Sequence, residues 1–102
     1  MKEYYIYKDE EKFEELDKQR QDILLKWIKE NFIKRKTTNY NCGTSYGLKH
    51  IIQKQYKFDW RYYFTNEQFK KAMLLCGFKV ANPEDRNWYF NVSQKSPALL
   101  WI

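Results

Sequence analysis

Glycine and proline are scarce in this chain of 102 residues, which contains three and two of them. That scarcity excludes a linker-rich or low-complexity protein. No apolar run approaches the ~18–20 residues that a membrane span needs, which excludes an integral membrane protein. We therefore expect a single domain, residues 1–102, with one modest core and no membrane partner.

Cysteine and histidine are also few, and their spacing argues against catalysis. Cys42 and Cys76 lie far apart in the chain, and His50 is the only histidine. These three residues do not have the spacing of zinc ligands. The sequence also contains neither a glycine-rich loop that could bind phosphate nor the nucleophile-elbow motif of hydrolases. We expect no catalytic residue, no metal, no cofactor and no enzyme activity. The start lacks the apolar stretch of a secretory signal, so we expect a cytoplasmic protein in a bacterial host.

Charge is abundant and unevenly distributed. The chain has 19 Lys and Arg against 13 Asp and Glu, a net +6. Residues 1–17 hold three bases and seven acids, whereas residues 18–79 hold 14 bases and four acids. An acidic start followed by a basic middle indicates a surface that attracts polyanions. Solvated, lysine-rich helix faces are the alternative explanation.

Apolar residues from Phe13 to Phe32 recur at three- and four-residue spacing, which predicts a long N-terminal helix from about Asp9 to Lys34 within residues 1–36. At ~1.5 Å per residue, such a helix is longer than a domain of this size. It should overhang the domain, break near Gln19–Gln21, or pack against a second copy, and the last option predicts a homodimer.

Residues 44–93 predict a compact unit with two helices and a hairpin. Thr44 or Ser45 is the expected N-cap of the first helix. Thr65 to Gln68 form a capping box that opens the next helix, and Gly77 suits its end. Residues 78–81 and 88–92 are β-like and flank a turn. The predicted fold class is α+β, with a winged-helix-like core; a generic small α+β domain is the alternative.

The winged-helix interpretation makes residues 65–76 a DNA-recognition helix and residues 78–92 its wing. Asn suits adenine, and Lys suits guanine or phosphate. The predicted nucleic-acid contacts are Asn66, Lys70, Lys71, Lys49, Lys54, Arg61 and Arg86.

Aromatic residues make up 20% of the chain, and many of them lie in residues 56–64. Rings interleaved with bases are typical of surfaces that stack on single strands or anchor a protein partner. Phe58, Trp60 and Phe64 could instead fill the core. The rings expected to meet a partner are Trp60, Tyr62 and Trp101.

Four sequence blocks carry a resemblance to a family. They are TSYGLKH at 44–50, TNEQFKKAM at 65–73, GFK at 77–79 and NWYFN at 87–91. Together they resemble small uncharacterised proteins of bacteriophages and mobile elements. The resemblance implies an accessory protein without established catalytic activity, of a kind that often acts on DNA transactions or inhibits host defence.

Two functions are therefore expected. The first is non-catalytic binding of DNA through a basic face. The alternative is a protein inhibitor of host defence, for example an anti-CRISPR, or of host replication machinery. The two merge if the partner is a host protein bound to nucleic acid. If Lys49, Lys54, Lys70 and Lys71 share a face, the DNA function is favoured; if they scatter, the inhibitor is favoured.

Overall fold

A computed structural model of the chain describes residues 10–100, which fold around one central helix. The α-helices are α1 (Lys18–Asn31), α2 (Ser45–Gln55) and α3 (Asn66–Leu75). Short 3-10 helices occur at Phe13–Glu15, Trp60–Tyr62 and Pro97–Leu100. Helix α3 packs against α1, α2 and the first 3-10 helix, and its Phe69, Ala72 and Met73 are fully buried.

The long N-terminal helix predicted by the sequence is divided. Leu16 has extended backbone angles, and α1 begins anew because the Asp17 side chain accepts the Arg20 N–H at 2.8 Å. Both Phe13 and Leu16 remain in the core, so the apolar stripe continues through the break. With 14 residues, α1 is about 21 Å long and does not exceed the molecule, which measures 33 × 32 × 18 Å. Within residues 10–100, helix α1 does not overhang the domain, so the reason given for a homodimer does not hold there.

Two helix starts predicted by the sequence are confirmed. Thr44 is the N-cap residue of α2. At α3, the Thr65 hydroxyl accepts the Gln68 N–H and the Gln68 side chain accepts the Thr65 N–H, which completes the capping box. Gly77 follows α3 with a φ of +87°, a conformation that glycine adopts at little cost.

The predicted α+β class and its hairpin are wrong: residues 10–100 are all-α and contain no strand. Residues 78–81 and 88–92, which were predicted as the two strands of the hairpin, meet at a single antiparallel bridge, Val80 to Phe90. A second bridge joins Lys34 to Val92. The pairing does not extend into a strand because residues 88–93 lie between two other segments. On one side, their backbone forms hydrogen bonds with the loop from residue 33 to 45. On the other side, the Asn91 side chain, and not the backbone, accepts the Lys79 N–H.

The winged-helix interpretation fails for the same reason, since no wing forms and the intended recognition helix is the centre of the core. None of the described helices is long and apolar enough to cross a membrane.

Candidate functional site

Lys70, a predicted DNA contact, is buried inside the protein with only 1% of its surface exposed. Its Nζ lies 3.0 Å from Glu67 Oε2, donates to the Arg86 carbonyl at 2.8 Å, and sits 4.2 Å from the centre of the Trp88 ring. Burial lowers the pKa of Lys70, and the Glu67 carboxylate opposes that shift. The ammonium is thus a structural group, and it cannot reach a phosphate without leaving this pocket.

Asn66 and Lys49 are buried as well. The Asn66 amide donates to Asn87 Oδ1 at 2.8 Å, which holds the turn before Trp88 against α3. The Lys49 ammonium lies 5.1 Å from the centre of the Tyr46 ring, and burial lowers its pKa. Neither side chain faces solvent as the DNA-recognition hypothesis requires.

The remaining predicted contacts are exposed but dispersed. Lys54 lies in the last turn of α2, whereas Lys71 lies on α3 with its Nζ 3.9 Å from Glu14 Oε1. Arg86 Nη2 is 3.6 Å from Glu10 Oε2, and Arg61 pairs with Asp59. Lys49 and Lys70 are buried, so the four lysines whose shared face would favour the DNA function do not form one exposed basic surface.

A more promising surface is the aromatic loop, residues 56–63, between α2 and α3. Phe58 has 95% of its surface exposed, and Trp60 has 63%. Phe58 also has a φ of +68°, in the left-handed region that costs a bulky residue about 1–2 kcal/mol. Tyr63 is exposed beside them. The loop thus holds large rings in water and adopts an unfavourable backbone conformation to do so.

Hydrogen bonds hold this loop in one conformation. Arg20 of α1 donates to the carbonyls of Arg61 and Tyr63, and its guanidinium lies 5.4 Å from the centre of the Trp60 ring. Asp59 accepts both the backbone N–H and the guanidinium of Arg61, and this side-chain bond lowers the pKa of Asp59. The rings are exposed on a braced loop.

The base of the loop forms a groove with α1. Tyr56 and Tyr62 stack with ring centres 3.6 Å apart. Beside them lies a groove of about 310 Å³, lined also by Ile23 and Trp27. Trp27 donates from Nε1 to Gln55 at 2.9 Å, which ties α1 to the end of α2. The groove is large enough to receive a side chain of a partner.

Charges near the aromatic loop are paired only in part. Arg61 Nη2 lies 2.9 Å from Asp59 Oδ2, and on α1 the Lys26 and Glu30 side chains approach to 3.9 Å. Such exposed pairs add little stability. Lys57 in the loop and Arg20 beneath it form no ion pair within residues 10–100, so the surface around the rings carries a modest positive charge.

The expectations for the aromatic residues were met in part. Trp60 is exposed, and Phe64 is buried in the core, as predicted. Tyr62 is only half-buried because it stacks on Tyr56. Phe58 was expected in the core, but it has the largest exposed fraction of the exposed aromatic residues. The apolar character of the residue does not predict its positive φ. Trp101 lies outside the described residues.

The histidine and the two cysteines have contacts of their own in the described residues. The His50 ring lies edge-on to Tyr46, with ring centres 4.5 Å apart. Cys42 and Cys76 are free thiols, and burial raises the pKa of both. No group of three His, Cys, Asp or Glu side chains in this part of the chain could hold a metal ion.

Comparison of the chain with protein-family models, curated proteins and solved structures finds no match. The resemblance to phage and mobile-element proteins therefore stays a prediction from the sequence blocks.

Proposed function

We propose that this chain is a non-catalytic protein-binding module that engages a host protein through the aromatic loop. The observation that supports the proposal most strongly is Phe58, whose ring is almost wholly in solvent on a strained and braced backbone. The exposed ring gives the fold little packing in return for the strained backbone of Phe58. Insertion of the ring into a partner would explain why the strain is kept.

The energetic scale suits an interface. Burying an aromatic side chain removes about 150–250 Å² from water, which at about 25 cal/mol per Å² amounts to ~4–6 kcal/mol per ring before the costs of association. Trp60, with 63% of its surface exposed, offers proportionately less than Phe58, and the two rings together would contribute a large part of the energy of a complex. The bonds from Arg20 reduce the ordering cost, because the loop is already held in place.

The proposed partner is a protein because the exposed rings adjoin a groove of about 310 Å³ that can receive a side chain, and because Trp and Arg carry much of the binding energy in protein interfaces. We therefore expect a partner that offers an apolar pocket for Phe58. Following the family resemblance, the proposed role is that of a phage or mobile-element accessory protein that inhibits host defence, such as a CRISPR nuclease, or host replication machinery.

The test is capture of the partner from a nuclease-treated lysate of a bacterial host, followed by reconstitution with the purified partner. The variant Phe58→Gly/Trp60→Ala should lose at least about tenfold in affinity for the purified partner, since each ring supplies more than the ~1.4 kcal/mol that tenfold requires. Glycine tolerates a positive φ, so the variant should fold with unchanged cooperativity in urea.

The matched control is Tyr40→Ala, which removes another exposed ring outside the loop. Its affinity should equal that of the original chain. The proposal is contradicted if no protein is captured after nuclease treatment, or if the loop variant and the control bind equally well.

A further inference from the structure

A second surface carries a group of bases that have no ion pair. It consists of five exposed bases around the ends of α1 and α3, and we call it the basic rim: Lys29, Lys34, Arg35, Lys36 and Lys79. None of the five forms an ion pair within residues 10–100. The chain has no acid between Glu30 and Asp59, and both of those acids are paired with other bases.

Contacts show that the rim is one surface. A methyl group placed on Gly77 would lie 3.2 Å from Lys34 Nζ, so the ammonium rests directly on the turn that follows α3. It also lies 5.2 Å from the centre of the Phe78 ring. Burial raises the pKa of the neighbouring Cys76 thiol, and the charges of Lys29 and Lys34 oppose that rise. Both lysines thus lie within electrostatic reach of the same buried group.

A buried amide positions the rim. Asn91 is 5% exposed, and its Oδ1 accepts the Lys79 N–H at 2.7 Å while its Nδ2 donates to the Arg35 carbonyl at 2.9 Å. The two basic segments are therefore fastened to each other through one side chain. The Arg35 guanidinium folds back onto the carbonyls of Thr37 and Thr38, which orders the loop that carries Lys36.

The acids lie at the opposite end of α3. Glu10 Oε1 accepts the Glu67 N–H at 3.2 Å, and Thr65 donates to the Glu11 carbonyl. Helix α3, with ten residues, spans about 15 Å between these acids and the rim. Glu10 is paired with Arg86 and Glu67 with Lys70, so bases offset the acids at this end of α3, whereas the rim has no acid to offset its bases. A polyanion would therefore be attracted to the rim end.

The helix ends alone do not cancel this attraction. Two helix C-termini contribute about −0.5 charge each, close to −1 in total, against the five positive charges of the rim. Helix dipoles explain why one or two lysines are favoured here, but they leave a large positive excess.

We infer that the basic rim binds the phosphate backbone of DNA, without sequence specificity, at a surface separate from the aromatic loop. Phosphate contacts suit the rim because its bases are exposed and have no acid partner, and because contacts to phosphate carry no sequence information. This DNA-binding site differs from the recognition helix that the sequence suggested, since neither Asn66 nor Lys70 takes part.

The test measures binding of a mixed-sequence duplex of about 20 base pairs at a series of salt concentrations from about 50 mM upward. The logarithm of the affinity should fall against the logarithm of salt with a slope near −4, as expected for four or five phosphates. Lys36→Glu/Lys79→Glu should weaken binding at least about tenfold at the lowest salt and reduce the slope by about 2.

The control, Lys54→Glu/Lys71→Glu, makes the same change in net charge at exposed lysines outside the rim, and should bind within about twofold of the original chain. Phe58→Gly/Trp60→Ala should also retain DNA binding, which separates this inference from the proposed function. Absence of duplex binding, equal losses in both lysine variants, or tighter binding to phosphatidylserine vesicles or polyglutamate would overturn the inference.

Discussion

A buried ammonium is stable only when other groups replace the water that it loses, and Lys70 has three such groups. A carboxylate, a carbonyl and an indole ring surround it. From the sequence, Lys70 lies opposite the apolar stripe of α3 and looks like a surface residue. Helical periodicity does not show that a helix is covered on all sides, which is why the predicted DNA contact proved to be part of the core.

Lys70→Met should lower the free energy of unfolding by about 3–5 kcal/mol, because the Glu67 carboxylate is then buried without its partner. Adding Glu67→Gln should recover much of that loss, since a neutral amide is easier to bury. Urea unfolding of the single and double variants measures both effects. A single variant as stable as the original chain would show that Lys70 reaches solvent.

Among the elements, local signals were reliable and long-range ones were not. The Thr65 capping box and Gly77 depend only on neighbouring backbone, and the structure has both as predicted. A break in the first helix was one of three expected outcomes, but it was placed near Gln19–Gln21 and lies at Leu16, because Phe13 and Leu16 keep the apolar spacing through the break. The predicted hairpin was wrong because residues 88–93 bond to the distant loop 33–45 as well as to residues 78–81, and no local pattern predicts that choice.

Asn91 provides a test of this central segment. Asn91→Asp keeps an acceptor for the Lys79 N–H but places a carboxylate oxygen against the Arg35 carbonyl. We expect a loss of about 2–3 kcal/mol in the free energy of unfolding, the cost of a buried and unsatisfied charged group. Thermal or urea unfolding measures it, with the exposed Asn41→Asp as the control. A change no larger than that of the control would mean that the amide does not join the two segments.

At the scale of the molecule, two surfaces have different characters. The aromatic loop presents exposed rings on a braced backbone, whereas the basic rim presents five bases with no acid among them. The sequence predicted an acidic start and a basic middle; in the described residues, Glu10 lies near the start of α3, where it is paired with Arg86, and Lys34 lies near the end of α3 without an ion pair. A host protein that works on DNA would use both surfaces at once, with Phe58 as the anchor and the rim on the nucleic acid.

The most direct test of the protein-binding claim is a chemical-shift map of the isotope-labelled chain with its purified partner. The account predicts that amide signals of residues 56–63 shift or broaden on binding, together with those of Ile23 and Trp27 in the groove, while those of Asn66 to Leu75 stay in place. Shifts concentrated in α3 and at residues 82–87, with the aromatic loop unchanged, would contradict it.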